Sequence, residues 1–181
     1  MNSVKTWRVL VVLWALSIGA HRSHGAEEEF PRTTIDLGTV VTDVAKSVKF
    51  YTDAIGFTEV QGFSVAGDYC EKVGLTAGKG LDIRVLALGT GESATKLKLM
   101  QIPGVEVKQS ANEYIHSQTG FRYLTIFVAD TNAVLERLKK AGVKPIAQGT
   151  QELPKPLPQG VYLTIVRDPD GNFVELVGPK K

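Results

Sequence analysis

Cys70 and His116 are the two side chains whose types could form a nucleophile–base pair, because a thiolate needs a nearby base or positive charge. Their spacing gives that pairing no support. Cys70, in YCEKVGL, fits a small buried apolar group better, and His116, in NEYIHSQ, fits a solvated polar residue or a substrate contact. The sequence contains no phosphate-binding loop, catalytic triad or dinucleotide motif.

Asp168 and Asp170, in RDPDG, are carboxylates that could act as acid or base, but Asp-Pro-Asp-Gly is first of all a turn sequence. Large apolar or aromatic residues at strand spacing could line a hydrophobic pocket or belong to an ordinary core. Four residues carry that ambiguity: Tyr69, Met100, Phe127 and Phe173.

The first 25 residues predict a secretory signal. Lys5 and Arg8 precede the apolar run VLVVLWALSIGA at 9–20, which has twelve residues, whereas a membrane-spanning helix needs roughly 20. Small residues follow, with cleavage expected after Gly25 or Ala26. An uncleaved anchor or a buried helix is the alternative. We therefore expect an exported protein, periplasmic or extracellular, with no membrane association after leader removal.

Leader removal changes the charge of the chain. The leader holds three of the 21 basic residues and none of the 19 acidic ones, so 18 basic residues face 19 acidic ones and the formal net charge is −1. This balance gives no electrostatic support for nucleic-acid binding. The single cysteine allows no disulfide within the chain. Residues 26–181 suit one domain with a sizeable core.

Two segments of the chain share one pattern. Strand-like runs at 35–43 and 124–130 each reach Val-x-Asp and continue with apolar residues at helical spacing. Asp43 is placed to cap the first helix, and Asp130 or Thr131 the second. Gly56 and Gly142 follow 13 and 12 residues after these aspartates, where a left-handed stop is needed. This agreement predicts a repeated unit.

Three further strand candidates follow each predicted helix. They lie at 57–65, 81–89 and 95–103 in the first half, and at 143–150, 161–168 and 172–178 in the second. Each half therefore has the pattern β-α-β-β-β. Residues 104–120 join the halves, and the proline-rich residues 153–160 are predicted to be a loop. Alternating side chains place one face of each strand on the helices and leave the other, mixed face to line a pocket.

TDVAKSVKFYTDAIGF and RDPDGNFVELVG resemble the vicinal oxygen chelate superfamily, which includes glyoxalase I, extradiol dioxygenases, methylmalonyl-CoA epimerase and the fosfomycin- and bleomycin-resistance proteins. The resemblance covers about residues 33–178. It implies an α+β fold in which two β-α-β-β-β modules, about 33–103 and 121–178, form a U-shaped, incompletely closed eight-stranded barrel around a ligand cavity. Such motifs are specific for a fold and weak for an activity.

The resemblance also implies where a metal would bind. Metal-dependent members use His or Gln on the first strand of each module and Glu on the last; the matching positions are Asp36, Lys98, Tyr123 and Glu175. A protonated lysine offers no lone pair and repels a divalent cation. His116 is the single histidine after the leader, so one mature chain cannot build a two-histidine site. We expect no metal and no other cofactor, with Lys98 supplying the positive charge; a divalent metal is the less favoured alternative.

Three functions are compatible with this pattern. The first is a binding protein that holds a small, partly apolar molecule in the barrel cavity, as bleomycin-resistance proteins do without a metal. The cavity would be lined by Asp36, Lys98, Met100, Tyr123, Phe127 and Glu175. The second is an enzyme of the same superfamily, a lyase, isomerase or dioxygenase using an unusual metal set or acid/base chemistry. The third is a structural or protein-binding role. The resemblance favours a homodimer, and so do open strand edges, because their unpaired backbone groups can pair with another chain.

Overall fold

A computed structural model describes residues 29–181 of the chain; the predicted signal sequence therefore lies outside the described residues. Residues Thr34–Lys181 form one compact unit. In the part of the chain that the model describes, no helix combines the length and apolar character needed to cross a membrane.

The first module contains four strands, β1 (Leu37–Val40), β2 (Thr58–Val65), β3 (Leu81–Leu88) and β4 (Thr95–Met100). Helix α1 (Val44–Lys49) follows β1 and continues through Phe50–Ile55 as a π-helix. A short helix, α2 (Gly67–Lys72), lies between β2 and β3. The sheet order is β1-β4-β3-β2, with β1 and β4 parallel and the other pairs antiparallel.

The second module repeats this topology. It contains β5 (Tyr123–Phe127), α3 (Thr131–Lys140), β6 (Gln151–Glu152), β7 (Val161–Arg167) and β8 (Phe173–Pro179). The sheet order is β5-β8-β7-β6, again with the first pair parallel. The two four-stranded sheets do not close into one barrel. The predicted α+β fold of two β-α-β-β-β modules is therefore confirmed, with α2 as an addition that the sequence pattern did not reveal.

The helix ends are fixed by the residues predicted for them. Asp43 accepts a hydrogen bond from the Lys46 amide at 2.9 Å, and Asp130, rather than Thr131, accepts one from the Asn132 amide at 2.9 Å. Gly56 and Gly142 adopt φ values of 99° and 72°, the left-handed conformation that ends a helix at low steric cost. Local chemistry therefore determines where both helices begin and stop.

One hydrophobic core joins the two modules. Its sheet residues lie on one face of the strands, and its helix residues come from α1, the π-helix and α3. Its fully buried large side chains include Tyr51, Leu86, Leu97, Leu99, Leu138, Val174 and Leu176. The opposite sheet faces, which we call the open face, are turned away from α1 and α3.

The strand predicted at 143–150 is wrong. This segment is a loop, and β6 is limited to two residues that pair with β7. Ala147 has a φ of 51° and Gly149 a φ of 80°, so the backbone turns twice where an extended strand would run straight. The Ile146 amide donates to the Ile165 carbonyl at 2.9 Å, and the Thr150 hydroxyl lies 2.6 Å from that of Thr164.

Candidate functional site

Asp36 and Lys98 meet on the open face of the first module. Gly38 pairs with Lys98 across the parallel β1–β4 ladder, and Asp36, two residues earlier, points to the same side. The Lys98 Nζ lies 3.0 Å from the Asp36 Oδ2, and the two side chains are 31% and 17% exposed. Gly38 keeps this area open, because a Cβ there would lie 3.2 Å from the Met100 Cε. The result is a largely buried ion pair on the sheet.

Tyr123 and Glu175 lie on the open face of the second module. Glu175 is the cross-strand partner of Thr125, whose hydroxyl donates to the Glu175 Oε2 at 2.7 Å. Tyr123 is half-exposed and Phe127 is 82% exposed, both on the same side of β5 as Thr125. Glu175 is therefore held in one orientation beside two exposed rings.

Of the four positions implied by the resemblance, Asp36 and Lys98 are the pair for which the structure gives a direct contact. Asp36 contacts Lys98, whereas Glu175 contacts Thr125 and, within residues 29–181, makes no ion pair with Lys98 at 4.0 Å or less. Met100 lies beside Lys98 in β4 but packs against the cluster of Cys70, Leu81, Ile83 and Val85. Met100 therefore borders the predicted cavity from inside a small second core.

This set of side chains does not fit a divalent metal. Among residues 29–181, no group of three or more His, Cys, Asp or Glu side chains is placed to hold a metal ion. The ammonium of Lys98 contacts the carboxylate of Asp36, the other implied ligand position of the first module, and a cation at that distance repels a second cation. No reaction step through a metal follows from this arrangement.

The other candidates named from the sequence lie in surroundings that do not bring them together as a reactive pair. Cys70 is buried in the second core of the first module, while His116 is exposed and stacks on Tyr114. Nothing brings this thiol and this imidazole together, so the interpretation of Cys70 as a buried apolar group is confirmed. Tyr69 is exposed, and Phe173 is buried under the Arg167 guanidinium, 4.3 Å from the ring centre.

Asp168 acts as a turn former, as its motif predicts, and also joins the modules. Its Oδ1 accepts from the amides of Asp170 (3.0 Å) and Asn172 (2.8 Å). Its Oδ2 accepts from the side chains of Asn172 (2.9 Å) and Tyr51 (3.0 Å). Burial raises the pKa of the Tyr51 hydroxyl well above its ordinary value, and the adjacent Asp168 carboxylate raises it further. Tyr51 and Asp168 therefore clamp the π-helix of the first module to the last turn of the second.

Within residues 29–181, clefts border the open face and the seam between the modules, and three of them are relevant to the site. One of about 130 Å³ lies at the seam and includes Gly38, Tyr51 and Tyr123. One of about 360 Å³ includes Leu163 and Ile165 of β7. The third, about 480 Å³, lies between residues 113–116 and the second sheet. The sequence analysis named His116 and Phe173 of this third cleft as candidates but missed Tyr114 and Arg167. The proximity of these residues depends on the path of an irregular segment.

Comparison with known proteins identifies the family. Residues 36–176 match the model of the Glyoxalase/Bleomycin resistance protein/Dioxygenase superfamily. The fold resembles a glyoxalase family protein from Bacillus cereus (16% identity, TM-score 0.65, covering 83% of this chain and 95% of that one). It also resembles a trypanothione-dependent glyoxalase I from Leishmania major (23% identity, TM-score 0.55, 81% and 86% covered).

A third similar structure is a glyoxalase/bleomycin resistance protein/dioxygenase domain from Frankia (18% identity, TM-score 0.56, covering 82% of this chain and 91% of that one). No curated protein sequence matches the chain. At these identities the structural similarity concerns the fold alone, whereas the family model covers most of the chain. The chain therefore belongs to the Glyoxalase/Bleomycin resistance protein/Dioxygenase superfamily.

Proposed function

We propose that this chain binds a small, partly apolar molecule on the open face of its two sheets, without a metal centre. The observation that carries the proposal is the 3.0 Å contact between Lys98 and Asp36, at positions where metal-dependent relatives would hold a metal. An ammonium fixed by a carboxylate supplies a positive charge and hydrogen-bond donors to a ligand. Unlike a metal ion, this ammonium needs no vacant coordination position to hold a ligand.

The side chains on the open faces of the two modules support an amphipathic ligand. Met100, Tyr123 and Phe127 offer apolar and aromatic surface, while Lys98 and Glu175 offer one donor group and one acceptor group. Ligand sites in proteins typically combine a mainly apolar lining with a few fixed polar groups. A molecule with a polar end and an apolar body matches this distribution better than a highly charged one.

A homodimer and export from the cytoplasm belong to the same proposal. Val60, Phe63 and Phe127 are large apolar side chains that the single chain leaves exposed, and exposed apolar surface of this kind favours association. Light scattering should give twice the monomer mass at micromolar concentration. Intact-mass measurement should give a mature chain that starts after Gly25 or Ala26; a soluble cytoplasmic form retaining Met1 would contradict export.

Native mass spectrometry of protein purified without denaturation tests the binding function. Lys98→Met is the test variant. Lys96→Met is the matched control, because Lys96 lies two residues earlier on the same side of β4 and makes no ion pair with another described residue. The wild-type chain and Lys96→Met should retain a bound organic molecule. Lys98→Met should bind it at least about tenfold more weakly, which corresponds to losing one charge-assisted hydrogen bond.

Metal analysis of the same preparations completes the test. We expect substoichiometric metal in all three proteins. Stoichiometric zinc, nickel, manganese or iron in the wild-type protein would contradict the proposal and favour the metal-dependent enzyme. Equal ligand retention by Lys98→Met and wild type would also contradict it, because Lys98 would then take no part in binding.

A further inference from the structure

The segment that joins the modules forms one wall of a cleft on the second module. The cleft has a volume of about 480 Å³, and its walls include Tyr114, His116, Ile146, Arg167 and Phe173. This volume lies within the range of about 300–1,000 Å³ found for small-molecule sites. None of these residues belongs to the set around Lys98, so the cleft stands independently of the function proposed above.

Two arginines hold this wall in place although it has no regular secondary structure. Arg122 donates from Nε to the Ile115 carbonyl (3.0 Å) and from Nη2 to the Asn112 Oδ1 (2.9 Å). Arg167 donates from Nη2 to the Glu113 carbonyl (2.7 Å) and from Nη1 to the Asn112 carbonyl. Hydrogen bonds from a charged donor are stronger than neutral ones. The wall is therefore preorganised, which lowers the entropic cost of binding.

Aromatic rings determine the shape of the cleft. The rings of Tyr114 and His116 stack with their centres 5.5 Å apart and their planes only 6° from parallel. Tyr114 remains 58% exposed. Across the cleft, the Arg167 guanidinium lies over the Phe173 ring. A flat exposed pair of rings is a surface on which another flat, π-rich molecule can stack.

The charges bordering the cleft balance. Arg167 brings one positive charge and Glu113 one negative charge, and the other lining residues are apolar, aromatic or histidine. A balanced site of this kind provides no net attraction for an anion or a cation. The occupant that matches it is neutral.

Backbone strain marks the opposite wall. Ala147 lines both this cleft and the 360 Å³ cleft beside it, and its φ of 51° is rarely adopted by a residue with a Cβ. Strained residues persist where the surrounding structure holds them, and they cluster at binding sites. The strain therefore falls at the place where the two clefts meet.

We infer that this cleft is a binding site for a neutral, planar aromatic molecule that stacks on the Tyr114–His116 pair. The test uses 2-naphthamide as the planar probe and decahydro-2-naphthamide as its saturated counterpart, with binding measured by calorimetry on the full mature chain. Tyr114→Ala removes the stacking surface, and Tyr114→Phe retains it. Tyr69→Ala is the control, because Tyr69 is equally exposed, at 57%, but lies in α2.

We expect Tyr114→Ala to weaken 2-naphthamide binding about three- to tenfold, with Tyr114→Phe and Tyr69→Ala unchanged. The saturated probe should bind more weakly and should not respond to Tyr114→Ala. Equal binding of the two probes would overturn the aromatic assignment, and an equal loss in Tyr69→Ala would overturn the assignment to this cleft. Tighter binding of 2-naphthoate than of the amide would overturn the neutral class. Lys98→Met tests the proposed function and Tyr114→Ala tests this inference, so failure here leaves the proposed function standing.

Discussion

Replacing Lys98 by methionine tests whether an ion pair has taken the place of a metal. Methionine keeps most of the length and apolar surface of the lysine stem, so the change removes mainly the charge. Asp36 then loses an ammonium partner 3.0 Å away while remaining only 17% exposed. A carboxylate that is this well shielded from water is stabilised less by solvent than a surface carboxylate is.

The expected loss in the free energy of unfolding lies between the losses typical of exposed and of buried ion pairs. Breaking an exposed pair costs about 0–1 kcal/mol, and breaking a fully buried pair costs about 3–5 kcal/mol. Lys98 and Asp36 are 31% and 17% exposed, so the pair lies nearer the buried limit. We expect the free energy of unfolding to fall by about 2–3 kcal/mol. Lys96→Met should change it by less than about 0.5 kcal/mol, as surface substitutions usually do.

Urea unfolding followed by circular dichroism measures these differences, with an unchanged denaturant slope as the sign that the compactness of both states is unaltered. Asp36→Asn in the Lys98→Met background should recover part of the loss, because it removes the carboxylate left behind. Lys98→Glu adds a carboxylate beside Asp36 and should create measurable affinity for Mn²⁺ in calorimetry. A loss below about 1 kcal/mol for Lys98→Met would refute the reasoning, since that value belongs to a solvent-exposed pair.

Two further predictions concern stability. Tyr51→Phe should lower the free energy of unfolding by about 1.5–3 kcal/mol at pH 7, because the Asp168 carboxylate loses a buried donor. The pKa of Tyr51 is raised in the folded state, so the stability of the wild-type protein should fall as the pH rises above about 10, by up to about 1.4 kcal/mol per pH unit. Tyr51→Phe should not show this loss at high pH. Parallel pH profiles of the two proteins would contradict the contact between Tyr51 and Asp168. Ala147→Gly should stabilise the protein by about 0.5–1 kcal/mol in thermal or urea unfolding, because relief of a left-handed alanine exceeds the added chain entropy. Ala141→Gly, at a φ of −79° after α3, should destabilise it; equal signs for the two variants would exclude backbone strain as the cause.

The repeated fold could be predicted from the sequence because its signals are local. Asp43 and Asp130 cap their own helices within three residues, and apolar periodicity marks which side of each strand is buried. The segment 143–150 failed as a strand for the opposite reason. Its composition suits an extended chain, but the Ile146 amide bonds to Ile165 of β7 and the backbone turns at the left-handed Ala147.

The candidate site could be predicted only in part. The resemblance implied that Asp36, Lys98, Tyr123 and Glu175 would share a site, and the register of the parallel strands decides which of them touch. Lys98 reaches Asp36 because it pairs with Gly38, and Glu175 reaches Thr125 because the two residues are opposite each other. The position of the joining segment could not be predicted from the sequence. Arg122 and Arg167 hold it mainly through its backbone carbonyls, and such bonds leave no pattern in the residue types.

The most recognisable motif of the chain explains the fold and not the chemistry. In RDPDGNF, Asp168 is buried at 5% exposure and is saturated by donors from the turn and from Tyr51. Asp170 accepts from the amide and hydroxyl of Thr42 in the other module. Both carboxylates thus serve the junction between modules, and a ligand has no access to the lone pairs of Asp168. The two binding sites that we propose for this chain therefore rest on other residues, at Lys98 and along the wall of the joining segment.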